Sequence, residues 1–311
     1  MLTEEELVQR IADGQLVESV EHMSAGYLAE LKRILLISAD TELLGAVMYY
    51  PNLIARRVPE KTVGAFLAVI QDELGHAHVD YRMLEDLGED ADHLVYGRAP
   101  HEFKHPYAMD MPYDTFAEVA LVGAFMDRAG YVLLSDVFEH TSYFPWRRAL
   151  VKVNKEESFH INFGVRNLRL LASDPDTRAE TQRAIDWMFP LTVEWFGLPD
   201  DLKTHDKQLR YRLKGCSNDQ LRQTWLSQVV PLVEELGFEV PARLDPGTHR
   251  YELDFPFPCA FDEQEKRWDF DNPVTWNDVI TRWKCRGPAN ARLVEIFQAG
   301  RKRLDALREA A

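Results

Sequence analysis

The chain has 311 residues, 46% of them apolar, and a formal net charge of −15 from 36 basic and 51 acidic side chains. Its length suits one large or two ordinary domains with a sizeable core, and its acidity excludes nucleic acid and an anionic membrane surface as partners. No apolar run approaches ~18 residues, so no membrane span is expected. The opening MLTEEELVQRIADG has neither the basic start nor the apolar core of a secretory signal.

Apolar residues recur at helical spacing over 26–50, 60–87, 114–140 and 145–172, and the pattern continues over 178–197. Asp174-Pro175 and Pro199 punctuate these segments. Residues 207–236 read as helical, with Ser217 as an N-cap before NDQLRQTW. Between 239 and 275 five prolines and many aromatics predict an extended, irregular stretch, followed by shorter helices near 275–284 and 289–308. No strand pattern is persuasive. The expected class is all-α: a ferritin-like four-helix bundle over 1–172, with the helices and extended segment of 173–311 packed on it. Cys216, Cys259 and Cys285 are few, odd in number and far apart, as expected of reduced thiols in a cytoplasmic protein.

A weak internal repeat carries the chemistry. Glu42 is followed 31 residues later by Glu73, and Asp127 is followed 30 residues later by Glu157. Each second carboxylate has a histidine three places on, in QDELGH (His76) and KEESFH (His160). Residues three apart share a helix face, so each Glu-x-x-His pair can reach one point. A carboxylate from each of two helices, with Glu-x-x-His from each of the other two, is the ligand pattern of ferritin-like di-iron bundles.

Charge supports the match. Four carboxylates buried together repel, and two divalent cations neutralise them. The oxygen/nitrogen donor set suits iron or manganese, and the absence of thiolate argues against structural zinc. Gly45, Ala46, Gly123, Gly130 and Gly164 lie near the carboxylates and are expected to leave room for metals and dioxygen. Asp72, His78, Asp80 and Glu156 point away from the cluster by helix geometry and are expected behind the ligands or at the surface.

The motifs TELLG, QDELGH, FMDRAG, KEESFH, SNDQLRQ, VPLVEELGFEVP and RGPANARL resemble the catalytic-component family of bacterial multicomponent phenylacetyl-CoA epoxidases, over nearly the whole chain. The resemblance implies a di-iron oxygenase that places one oxygen atom on the ring of an aromatic acyl-CoA. It implies Glu42, Glu73, His76, Asp127, Glu157 and His160 as ligands of two iron ions. It also implies electrons from an external NADPH-dependent flavin/iron–sulfur reductase, and a homologous, catalytically silent ferritin-like subunit in an oligomeric complex. The family carries a lysine where this chain has Val69 and an alanine where it has Leu74, which leaves open a divergent paralogue acting on another CoA thioester.

Coenzyme A phosphates need cations. Lys203, Lys207, Arg210, Arg212 and Lys214 form a local basic cluster, and Arg33 precedes Glu42 on the same helix; Arg33 and Lys214 are the expected phosphate contacts. Tyr49, Tyr50, Phe125 and Tyr131 read as core packing. The acidic surface suggests docking of a basic reductase. Iron storage or ferroxidase activity is the competing function, but it leaves the residues after 172 without a purpose. A silent scaffold subunit should have lost ligands.

Overall fold

The computed structural model describes residues 1–54, 58–203 and 207–310. Helix α1 (Glu4–Ala12) is closed by a reciprocal cap between Thr3 and Glu6. The bundle follows. Helix α2 (Ala25–Ile54) starts where Ser24 Oγ accepts from the Tyr27 N–H at 3.2 Å, and α3 (Val63–Asp86) returns antiparallel to it. The third member begins as α4 (Phe116–Leu121), capped by Thr115 and Glu118, widens into a π-turn over Val122–Asp127, and continues as α5 (Arg128–His140). Helix α6 (Phe144–Ser173), with Pro145 in its first turn, completes the four.

Helix α7 (Pro175–Val193) is started by Asp174 and Pro175. The stretch expected as one helix over 207–236 is divided: α8 (Lys207–Arg210) is one turn, and α9 (Asn218–Glu235) begins at the Ser217 cap. Between them Arg212 takes a positive φ of 48°, and Gly215 lies so close to the His140 ring that a side chain there would strike it.

The segment expected to be irregular contains two antiparallel hairpins, which corrects the expectation of no strands. Strands β1 (Ala242–Asp245) and β2 (Arg250–Leu253) pair Ala242 with Leu253; β3 (Cys259–Asp262) and β4 (Arg267–Pro273) pair Ala260 with Asp269. The first turns at DPGT, where Asp245 accepts from the Gly247 N–H at 2.9 Å. Helices α10 (Trp276–Cys285) and α11 (Pro288–Glu309) end the fold. Among the described residues no helix is long and apolar enough to cross a membrane.

Two apolar clusters fill the interior. One takes Leu35, Ala39 and Leu43 of α2, Ala77 and Leu84 of α3, Leu134 of α5 and Val153 of α6. The other takes Leu44 and Met48, Phe66 and Val69, Phe125 and Val132, and Leu168 from the same four members, together with α7, α9 and the hairpins. On α3 and α6 the boundary between them is a polar gap, and the Glu-x-x-His pairs occupy it.

The candidate metal centre

Glu42, Glu73, His76, Asp127, Glu157 and His160 are all buried. Donor atoms of Glu42, Glu73, His76 and Glu157 lie within 4.8 Å of one another, as do those of Glu73, Asp127 and His160. Glu73 belongs to both groups. The two Glu-x-x-His pairs are crossed. Glu73 Oε1 is 3.0 Å from His160 Nδ1, and Glu157 Oε1 is 3.2 Å from His76 Nδ1 and 3.5 Å from His160 Nδ1. Glu42 Oε2 is 3.2 Å from His76 Nδ1.

Both imidazoles therefore turn Nδ1 inward, and carboxylates hold them from behind. Glu156 Oε2 accepts from His76 Nε2 at 3.0 Å, and Asp72 Oδ2 accepts from His160 Nε2 at 3.4 Å. A carboxylate on Nε2 favours the tautomer protonated there and leaves the Nδ1 lone pair for a cation.

Asp127 is placed by the π-turn and by a contact across the bundle. The Tyr49 hydroxyl donates to Asp127 Oδ2 at 2.6 Å. Tyr49 reads as plain packing in sequence, and only the fold reveals its role: it stands 78 residues from its partner. Single π-turns within helices are frequent at functional sites. The glycines do two different things. A side chain at Gly45 would come within 3.0 Å of Glu73 Oε2, so Gly45 does make room beside the cluster. Gly123 and Gly164 instead let two backbones touch: a Cβ on Gly164 would sit 2.4 Å from the Ala124 nitrogen.

The electrostatics show what the cluster lacks. Burial pushes the Glu73 carboxyl well above its usual range, and the charges of Glu157 and Glu42 push it further. Burial, then the Glu157 charge, raises Asp127 to about 7. Burial alone would depress the two imidazoles. The carboxylates around them, Glu157 and Glu42 for His76 and Glu157 and Glu73 for His160, outweigh it and raise each to about 12. Glu157 is held down at about 2: burial opposes its charge, but the hydrogen bonds of His160 and His76 prevail. The protein alone balances this site only by loading it with protons. Cations bound among four carboxylates and two imidazoles remove that need, so the donor set fits a pair of divalent metals of the iron or manganese kind.

The expected phosphate contacts lie apart from the cluster. Arg33 is exposed on α2 and paired with Glu30 at 2.8 Å. Lys214 is buried, donates to Asn218 Oδ1 at 2.8 Å, and borders a cleft of about 470 Å³ that Arg147, Arg212 and His140 also line. Of the other cluster members, Lys203 approaches Asn218 and Arg210 approaches Glu4.

Residues 6–257 match the family described as phenylacetic acid catabolic protein. The chain is 29% identical to the A component of the 1,2-phenylacetyl-CoA epoxidase of Escherichia coli (strain K12), covering all of this chain and 92% of that protein. Among solved structures it is similar to a mutant R2-like ligand-binding oxidase with an aerobically reconstituted Mn/Fe cofactor. That likeness has a TM-score of 0.49 and 16% identity, over 74% of this chain and 95% of the other.

Proposed function

This chain belongs to the phenylacetic acid catabolic protein family, and on that premise we propose that it is the catalytic subunit of a multicomponent di-iron monooxygenase acting on an aromatic acyl-CoA. The observation that carries the reading is the convergence of six buried donors in a polar gap of the bundle, with too little positive charge of their own. Glu42, Glu73, His76, Asp127, Glu157 and His160 are the proposed ligands, and two iron ions the proposed occupants. When bound, the metal pair supplies dioxygen reduction and oxygen-atom transfer to the ring.

The chain's own residues supply the setting. Glu73, shared between the two donor groups, holds both halves of the site together. Asp72 and Glu156 fix the imidazole orientation, and Tyr49 fixes Asp127. Apolar clusters on both sides exclude bulk water. Arg33 and Lys214 are proposed to meet the thioester's phosphates. An NADPH-dependent flavin/iron–sulfur reductase is the proposed electron source, a homologous silent subunit the proposed partner, and the cytoplasm the proposed location. Residues 1–172 are read as the catalytic bundle and 173–311 as its packed extension.

A silent role does not suit a chain that keeps the whole donor set. A second reading concerns only the substrate. Val69 is fully buried in apolar surroundings where the resembled family has a cation, which favours a thioester other than phenylacetyl-CoA. The test is reconstitution with iron and reductase, then a panel of CoA esters. Uptake of oxygen that depends on a thioester, with a product heavier by about 16 mass units for one oxygen atom, is expected. Iron oxidation without thioester dependence favours iron handling instead.

A further inference from the structure

In a strongly acidic chain the solvent face of α6 is basic. Arg148, Lys152, Lys155, Arg166 and Arg169 are all exposed. At 3.6 residues per turn they share one side of the helix with Phe159 and Leu170. The two acids of α6 do not neutralise that side. Glu157 is buried in the cluster, and Glu156 is engaged by His76 and by Lys152 at 2.5 Å. Arg169 is paired with Glu235 at 2.9 Å. Arg148, Lys155 and Arg166 have no salt-bridge partner among the described residues.

The same side of α6 also exposes large apolar groups: Phe159 and Leu170 are 42% and 56% exposed. Phe159 stacks on Phe163, which packs edge-on against Phe66, so its position is fixed. The face is also wired to the cluster. Asp72 and Glu156, each about one-fifth exposed, bond directly to the outer nitrogens of His160 and His76.

We propose that this α3/α6 face docks the electron-donor protein of the oxygenase, and that the donor presents an acidic surface around an apolar contact. Charge complementarity selects the occupant. Unpaired cations around exposed aromatic and aliphatic side chains match an acidic partner, steer its approach and reject a basic one. Arginine and aromatic side chains are also the types enriched in protein interfaces. The overall charge suggests a basic reductase, but the local field over the metal centre has the opposite sign. This assignment rests on the oxygenase reading and identifies the partner surface of that same site.

The test uses full-length, iron-loaded chain and the flavin/iron–sulfur reductase that supports its thioester-dependent oxygen uptake. Binding is measured by titration calorimetry at low and high salt, for the wild type and for the double variant K155E/R166E. Reduction by dithionite and iron content are measured in parallel. The double variant is expected to bind the reductase at least about tenfold more weakly at low salt, with the difference shrinking as salt screens the charges. Iron content and dithionite reduction should be unchanged, and K155R should bind like the wild type. Unchanged reductase binding by the double variant overturns the assignment while leaving the oxygenase reading intact. So does loss of a ferritin-like partner subunit with reductase binding preserved, because the face then belongs to that subunit. If no donor supports oxygen uptake, the oxygenase reading fails, and this inference fails with it.

Discussion

Two regions of this protein bury charge, and they do so in opposite ways. Around the crossover between the two bundle hairpins, Asp40, Asp110 and Glu194 are buried and each has its own guanidinium. Arg98 grips Asp40 with bonds of 2.5 and 2.9 Å, Arg286 meets Asp110 at 3.0 Å, and Arg282 pairs with Glu194. Tyr81 and the Lys104 N–H complete the Asp40 shell, and His105 completes that of Asp110. In the bundle, four acids share two imidazoles and no guanidinium. The first region pairs its acids with the chain's own cations and holds the α11 end of the chain onto the crossover. The second is short of positive charge, which the proposed metal pair would supply. Buried charge alone marks neither function nor architecture; the balance of the charge does.

Substitutions can break that contrast, and the largest effect is expected at the shared carboxylate. Replacing Glu73 with Ala should abolish stoichiometric iron binding and activity while the fold persists, read by metal analysis beside circular dichroism. Metal-free chain should tolerate the change well because it removes repulsion. The opposite holds for Arg98→Ala. It strands Asp40 in the interior and should lower stability by about 3–5 kcal/mol, measured by denaturant unfolding, to a similar extent with and without iron. If Arg98→Ala instead acted only through metal loss, the two regions would not be distinct.

Smaller changes sharpen the comparison. Asp72→Ala and Glu156→Ala leave every proposed ligand in place, and each should weaken metal affinity by about 10–100-fold in a competition titration. Tyr49→Phe removes one hydrogen bond to Asp127 and should have a milder effect, about 1 kcal/mol, seen as unequal loss of the two metals.

The pH dependence has a definite sign. The carboxyl of Asp127 is raised to about 7 in the fold. Its contribution to the stability of metal-free chain is therefore present below the ordinary aspartate range and is lost as pH rises toward 7. The raised imidazoles act in the same sense from their ordinary range upward. Metal must displace these protons, so affinity should rise with pH. Thermal melts of metal-free and iron-loaded chain across pH 5 to 8 should thus diverge as pH increases.

Much of this was legible in the sequence because the informative signals were local. Glu73 and His76, or Glu157 and His160, announce a shared face by spacing alone, and the long helices announce themselves by apolar period. The Ser217 cap was readable for the same reason. What escaped depended on distant partners or very short elements. Tyr49 looks like any core tyrosine until the π-turn that ends at Asp127 is folded against α2. The hairpin strands β1, β2 and β3 have four residues each, too few for alternation to show among prolines. The π-turn at Asp127 has no compositional mark, and the crowding that requires Gly123 and Gly164 is a property of two helices together. The basic face of α6 was present in the residues but hidden by the chain's net charge.

The most direct measurement is anomalous diffraction at the iron edge from crystals of iron-loaded chain. The account predicts two peaks inside the bundle, one among Glu42, Glu73, His76 and Glu157 and one among Glu73, Asp127 and His160. An empty cluster, or iron bound elsewhere with these side chains still paired to one another, would contradict it.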